Sequence, residues 1–167
     1  STLNTGIEGA NTWFPAETDV SIRKGWYWSE ESDDTVKSWN KLITIYHESV
    51  GHNTNLLLNF AVDLRGKVHP NEERALREMH RSLERMYAND LAQGQPAVAM
   101  DSRGTGFEAA NLTDNNDATY WAAPDNQLTS SIFVELDQRQ YIDTVILQEH
   151  IELGQRIRAW NLEARVK

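Results

Sequence analysis

The residues best suited to chemistry lie in one short segment, WFPAETDVSIRKGWYW, at positions 13–28. It combines carboxylates and a guanidinium with indoles, and the candidates are Glu17, Asp19, Arg23, Trp26 and Trp28. Aromatic faces cover the apolar C–H faces of sugar rings, while charged groups hydrogen-bond to the hydroxyls. These residue types therefore indicate a sugar-binding surface. The alternative is that the aromatic residues belong to the core and that both carboxylates only pair with Arg23.

Two residues in this segment limit its backbone. Pro15 and Gly25 exclude a regular helix through it. We therefore expect a loop that leaves a strand, and in α/β barrels such loops build the active site at the C-terminal face. Asn59 interrupts an apolar run near the end of a predicted strand and could face a pocket as well.

A polar loop, NLTDNNDATYW at positions 111–121, is a second candidate site. It brings together the oxygen atoms of Asp114, Asn116 and Asp117, and Ca²⁺ prefers carboxylate and carbonyl oxygens. The spacing differs from that of an EF-hand. The alternative is an Asx turn, in which the side chains only bond to their own backbone.

The first region, residues 1–92, mixes helical patterns with an apolar run. A helix is predicted over 33–51, with Asp33 or Asp34 as cap and Gly51 as its left-handed end. Its predicted apolar stripe consists of Val36, Trp39, Ile43, Tyr46 and Val50. The run NLLLNFAVD, 55–63, predicts a strand buried on both faces, as in a parallel sheet. A second helix is expected to begin near Pro70.

This α/β pattern is incomplete. Besides the strand over 55–63, only one more strand is expected, near 11–14. Two strands cannot close a barrel of eight. We therefore infer that the chain starts inside a domain, with the missing strands upstream or on another chain.

The second region, residues 93–167, predicts an antiparallel β-sandwich. Short strands with alternating apolar side chains are expected over 131–137, 143–149 and 159–167. The stretch 91–97, which contains Gly94 and Pro96, is the expected joint between the two regions.

The composition excludes several classes of protein. The net charge is -9 with no cysteine and the pI is about 5.0, so nucleic acids and anionic membrane surfaces are not expected partners. Disulfides and zinc–thiolate sites are impossible. No apolar run approaches the roughly 20 residues needed to span a bilayer. Phosphate-loop, dinucleotide and nucleophile-elbow motifs are also absent.

Four segments occur in the order of a known family: WFPAETDVSIRKGWYW, TVKSWNKLITIYHESVGHNTNLLLNFAVDLRGKVHP, NLTDNNDATYWA and ILQEHIELGQRIRAW. Together they resemble the C-terminal part of bacterial α-L-fucosidases of glycoside hydrolase family 29. The resemblance is greatest to the branch acting on 1,3/1,4-linked fucose. It implies the C-terminal part of a (β/α)8 barrel over 1–92, followed by a discoidin-like β-sandwich over 93–167.

The resemblance implies a retaining exo-α-L-fucosidase that acts on fucosylated oligosaccharides without a catalytic cofactor. A carboxylate nucleophile and an acid/base carboxyl lie roughly 5 Å apart in such enzymes. The family motifs of both, of W-F-D-G and G-N-E type, are missing here, so both residues are expected upstream of Ser1. No catalytic residue is assigned in this chain, although Glu17 is considered for a catalytic or orienting role.

The resemblance also assigns roles to residues of this chain. Trp26 or Trp28 would pack on the fucose ring and its C6 methyl group, while Glu17, Asp19 and Arg23 would bind the leaving-group sugar or brace the loop. Asp114 and Thr119 become candidate ligands of a structural Ca²⁺. The upstream part of the barrel is an expected partner, and a periplasmic or secreted location is implied. The alternative function is a non-catalytic carbohydrate-binding β-sandwich module.

Overall fold

The computed structural model describes residue 7 and residues 9–12 and 14–165. Trp13, and Val166 and Lys167 at the end of the last predicted strand, lie outside the described residues. The chain separates into two compact units, Ser1–Ala88 and Asn89–Lys167. The predicted boundary lies slightly later, between residues 92 and 93.

The first unit is an α/β arrangement around two parallel strands. Strand β1 spans Ala16–Ser21 and helix α1 spans Trp39–Ser49, followed by strand β2, Thr54–Asn59, and helix α2, Pro70–Met86. Two 3₁₀ helices, Glu30–Thr35 and Val50–His52, flank α1. β1 pairs with β2 in parallel, with Ala16 opposite Thr54 and Ser21 opposite Asn59. The prediction that the run over 55–63 contains a strand of a parallel sheet is confirmed for Thr54–Asn59.

The position of β1 corrects two predictions. The strand expected near 11–14 begins instead at Ala16, and the segment expected to be a loop is a strand through its middle. Glu17 and Asp19 are therefore strand residues. The backbone turns away only after Ser21, and Gly25 in the turn adopts a φ of 85°, a conformation that glycine tolerates without steric cost.

Both helices of this unit have definable ends. Helix α1 is shorter than predicted, because the Ser38 side chain, and not that of Asp33 or Asp34, accepts a hydrogen bond from the Lys41 N–H at its start. The left-handed residue after it is Asn53, with φ 62°, so the role predicted for Gly51 is wrong. Helix α2 begins at Pro70 as predicted, and His69 caps it.

The core lies between one face of the sheet and the two helices. It contains the buried Ile22, Leu42, Ile45, Ala75 and Met79, with Val20, Leu56 and Leu58 of the strands packed against them. The predicted apolar stripe is confirmed in part, because Val36, Ile43 and Tyr46 pack against this core. The most buried apolar residues of α1 are nevertheless Leu42 and Ile45, while Trp39 and Val50 are 37% and 40% exposed.

The opposite face of β2 is open, contrary to the prediction that both faces are buried. Leu57 is 51% exposed there, and the sheet of this unit has two described strands.

The second unit contains little regular structure. Strand β3, Ala97–Ala99, pairs antiparallel with strand β4, Ile132–Val134. The strand predicted over 131–137 is confirmed in its centre. The strands predicted over 143–149 and 159–167 are not formed by the residues described there.

The reason lies in the apolar side chains of those two segments. Alternation favours a strand only where a neighbour covers the apolar face and takes up the backbone hydrogen bonds. The alternating side chains instead remain exposed, among them Val145, Leu147, Trp160 and Leu162. The described residues of the second unit thus form a two-stranded sheet, and the β-sandwich stays a prediction. Nor does any described helix have the length and apolar character needed to cross a bilayer.

Candidate functional site

The candidate site is the edge of the first unit where β1 and β2 end. The Ser21 hydroxyl donates to the carbonyl oxygen of Gly25 at 2.5 Å. The Asn59 side-chain amide donates to the Trp26 carbonyl oxygen at 3.0 Å. The last residues of both strands therefore fix the loop over residues 22–29, which carries Trp26 and Trp28 and is called the tryptophan loop below. Asn59, expected to face a pocket, contacts the backbone of that loop.

The sheet face away from the helices leads to this edge. Successive strand side chains alternate between faces, and Val20 and Leu58 pack against the core. Glu17 and Asp19, both exposed, therefore lie on the other face, opposite Asn55 and Leu57 in the register. In parallel α/β folds, ligands bind beyond the carboxyl ends of the strands.

Distance along the strand separates the two carboxylates from the edge. Strands rise about 3.3 Å per residue, which places Glu17 roughly 13 Å before Ser21. Asp19 lies about half as far from Ser21 along the strand as Glu17 does. A sugar at the edge would meet the loop first and these carboxylates only if it extended along the strands.

Arg23 forms the buried centre of the site. Its Nε donates to Glu72 Oε1 at 2.5 Å, and its Nη1 donates to Asp33 Oδ1 at 2.9 Å and to Ser32 Oγ at 2.8 Å. Burial by itself would lower the pKa of Arg23, but the hydrogen bonds with Glu72 and Asp33 raise it above its ordinary value. The guanidinium therefore stays charged, and removing one partner of such a buried pair costs about 3–5 kcal/mol.

Asp33 connects this centre to Trp28. The Trp28 indole Nε1 donates to Asp33 Oδ1 at 3.0 Å, and His69 Nε2 lies 3.2 Å from Asp33 Oδ2. The indole of Trp28 is half-buried, whereas Trp26 is 49% exposed and Tyr27 is 88% exposed. The loop thus presents one restrained and two open aromatic rings.

The structure brings together three of the five predicted sugar-site residues. Arg23, Trp26 and Trp28 lie at the edge, whereas Glu17 and Asp19 lie back along β1. The alternative in which both carboxylates pair with Arg23 is wrong, because the partners of Arg23 are Asp33 and Glu72. The predicted role of Arg23 as a residue that braces the loop agrees with these contacts.

Sequence reasoning missed Glu72 and gave Asp33 a different part. Glu72 is fully buried and lies on the same side of α2 as the buried Ala75 and Met79. A carboxylate three and seven residues before buried apolar positions signals a buried cation partner. Asp33 was expected only to cap a helix.

The predicted calcium loop in the second unit forms an Asx turn. Asp114 Oδ1 accepts the Asn116 N–H at 3.0 Å, and Asp114 Oδ2 accepts the Thr119 hydroxyl at 2.6 Å. Ca²⁺ takes six to eight oxygens, and within the described residues no cluster of three or more metal-binding side chains occurs. The local hydrogen bonds account for the loop, and calcium binding by Asp114 and Thr119 stays a prediction.

A half-buried aromatic group lies elsewhere in the second unit. The rings of Tyr120 and His150 stack with centroids 4.4 Å apart, and Phe107 lies 5.2 Å from Tyr120. The guanidinium carbon of Arg103 lies 5.5 Å from the centre of the Phe107 ring. Such a group has the residue types of a sugar-binding surface.

The family of the chain follows from comparison with known proteins. A model of the α-L-fucosidase family matches residues 2–86, the span that contains both strands, both helices and the candidate edge. The chain belongs to the α-L-fucosidase family. The predicted family is thereby confirmed.

Individual relatives agree with this family. Alpha-L-fucosidase 1 of Arabidopsis thaliana is 31% identical over 156 residues, which cover 92% of this chain and 30% of that protein. The solved structure of SpGH29 has a TM-score of 0.72 at 31% identity, over 82% of this chain and 30% of the other. A Ruminococcus gnavus GH29 fucosidase in complex with fucose has a TM-score of 0.66 at 30% identity, over 77% of this chain and 26% of the other.

These α-L-fucosidases are much longer than the chain. The chain spans about 30% of the length of the curated relatives it matches. The relatives include plant and bacterial proteins.

Proposed function

We propose that the chain is the C-terminal part of a retaining exo-α-L-fucosidase that removes terminal α-1,3/1,4-linked L-fucose from glycans. The observation that carries this proposal is the anchored tryptophan loop at the carboxyl ends of two parallel strands, in a chain of the α-L-fucosidase family. The Ruminococcus relative is described in complex with fucose, which supports the same class of ligand.

In this proposal the loop binds the sugar and does not carry out the bond cleavage. Trp26 and Trp28 pack on the apolar C–H face and the C6 methyl group of fucose. The nucleophile and the acid/base, roughly 5 Å apart as retention requires, come from the upstream part of the barrel. Asp19 and Glu17 lie on the sheet face away from the helices and would bind sugar hydroxyls only from a ligand that extends along the strands.

The upstream part of the barrel is the proposed partner, as the same polypeptide or a separate chain. The open face of the sheet and its half-exposed Leu57 support this, because parallel sheets are normally covered on both faces. The exposed apolar segments of the second unit would likewise complete a β-sandwich with further strands. A periplasmic or secreted location belongs to the same proposal.

The test of this function is substitution of the two tryptophans in the complete enzyme. Trp26→Ala and Trp28→Ala should each raise KM for a nitrophenyl α-L-fucoside by about tenfold or more, since each removes a ring–sugar contact. Trp39→Ala is the matched control, because Trp39 is a partly exposed tryptophan at the start of α1. An unchanged KM in both loop variants would contradict the proposed role of the loop.

A second candidate function is a carbohydrate-binding module in the second unit. The observation that favours it is the aromatic group of Phe107, Tyr120 and His150. Calorimetry of the chain with a fucosylated oligosaccharide separates the two functions. Binding that is lost with Tyr120→Ala and kept with Trp26→Ala and Trp28→Ala would favour the module.

A further inference from the structure

A buried series of charged groups connects helix α2 to the indole of Trp28. Glu72 Oε1 accepts from Arg23 Nε at 2.5 Å, and Arg23 Nη1 donates to Asp33 Oδ1 at 2.9 Å. The same Asp33 oxygen accepts the indole N–H of Trp28 at 3.0 Å. Three hydrogen bonds thus separate a helix residue that is buried below the site from the ring at its surface.

The position of Asp33 is fixed from several sides. Arg23 holds one carboxylate oxygen, and His69 Nε2 lies 3.2 Å from the other. His69 Nδ1 accepts the Asn71 backbone N–H at 3.3 Å, so in the neutral ring the proton is on Nε2, facing Asp33. Asp33 therefore has one preferred orientation, and its Oδ1 is a fixed acceptor for Trp28.

Arg23 and Glu72 form a buried ion pair that has little freedom to rearrange. Arg23 and Glu72 are 1% and 0% exposed. Arg23 Nη2 and Glu72 Oε2 have no hydrogen-bond partner among the described residues. A change at Glu72 therefore leaves the guanidinium without its strongest contact, and the shift is passed to Asp33, because buried hydrogen-bond networks respond as a unit.

We propose that Glu72, Arg23 and Asp33 are positioning residues for Trp28. They hold its indole at the angle that a sugar ring requires, so that the ring is ordered before the ligand binds. This inference rests on the proposed contact between Trp28 and fucose. None of the three acts on the sugar directly, and each acts through the indole.

A first experiment observes the ring without any ligand. Two-dimensional NMR of the chain resolves the indole N–H signals of its tryptophans, and Trp28→Phe assigns the signal of Trp28. Glu72→Gln and Asp33→Asn should both shift the Trp28 signal and leave that of Trp26 in place. Asp34→Asn, a change of an exposed neighbouring carboxylate, is the control. If the chemical shift of the Trp28 indole N–H is unchanged in Glu72→Gln, the proposed connection is overturned.

A second experiment measures coupling in the complete enzyme. Arg23→Lys and Asp33→Asn should raise KM for a nitrophenyl fucoside by about tenfold, with a smaller change in kcat. Combined with Trp28→Ala they should raise it no further, because coupled residues are non-additive. Equal effects with and without Trp28 would overturn the inference. If Trp28→Ala alone leaves KM unchanged, the proposed sugar contact fails, while the NMR result still decides whether the network positions the ring.

Discussion

One charged side chain, that of Asp63, holds the turn that follows β2. The buried Asp63 follows β2, and its Oδ1 accepts the backbone N–H of Arg65 at 2.8 Å and that of Lys67 at 3.2 Å. Its Oδ2 accepts the Arg65 guanidinium Nε at 2.8 Å. The hydrogen bond from the Arg65 side chain, with help from the two N–H groups, lowers the pKa of Asp63 to about 2.

This shift predicts an acid-sensitive turn. A carboxyl whose pKa is lowered by folding stabilises the folded state above its unfolded pKa, near 4, and that stabilisation is lost as the pH falls towards about 2. An NMR titration of the Asp63 carboxyl carbon should therefore give a midpoint near 2. Asp63→Asn should remove the acid dependence of the Lys67 amide signal. A midpoint near 4 would contradict the contacts.

At the same scale, the residue types predicted which residues lie at the site, but they did not predict which residues contact one another. The sequence pointed to Trp26, Trp28 and Arg23, and these lie at the strand edge. Pairing between residues distant in sequence could not be predicted, because Arg23 and Glu72 are 49 positions apart. The alternation of Glu17 and Asp19 with Thr18 and Val20 is a strand signal, yet the nearby Pro15 and Gly25 favoured a loop.

At the scale of elements, the position of a cap distinguishes the expected helix from the observed one. The sequence predicts that Asp33 or Asp34 caps a long helix, but α1 starts at Trp39, where Ser38 accepts from the Lys41 N–H at 3.4 Å. Thermal unfolding should show that Ser38→Ala lowers the free energy of unfolding by about 1 kcal/mol. Asp34→Ala should change it by less than about 0.5 kcal/mol. The opposite order would support the predicted cap.

Elements that make local contacts were predicted well, and those that need distant partners were not. Helix α2 begins at Pro70 as expected, because its start signal is local. The segments over 143–149 and 159–165 alternate like strands but have no paired neighbour in the described structure. A strand needs a neighbouring strand to take up its backbone hydrogen bonds, so the alternating pattern alone could not determine whether these segments form strands.

At the scale of the whole molecule, the proposed function assigns sugar binding and bond cleavage to different parts of an α-L-fucosidase. In that proposal, this chain provides the end of the barrel and the tryptophan loop, and an upstream part provides the nucleophile and the acid/base. The open sheet face and the 30% share of the relatives' length agree with that division. Neither strand order nor barrel closure could be predicted from two strands.

The most direct test of this claim is hydrolysis of a nitrophenyl α-L-fucoside by the chain alone and by the chain combined with the upstream part of the barrel. We expect no release of nitrophenol above the uncatalysed rate from the chain alone, because the proposal places the catalytic pair in the upstream part, and we expect steady turnover from the combination. Turnover by the isolated chain would contradict the account, since it would place both catalytic carboxyl groups within these 167 residues.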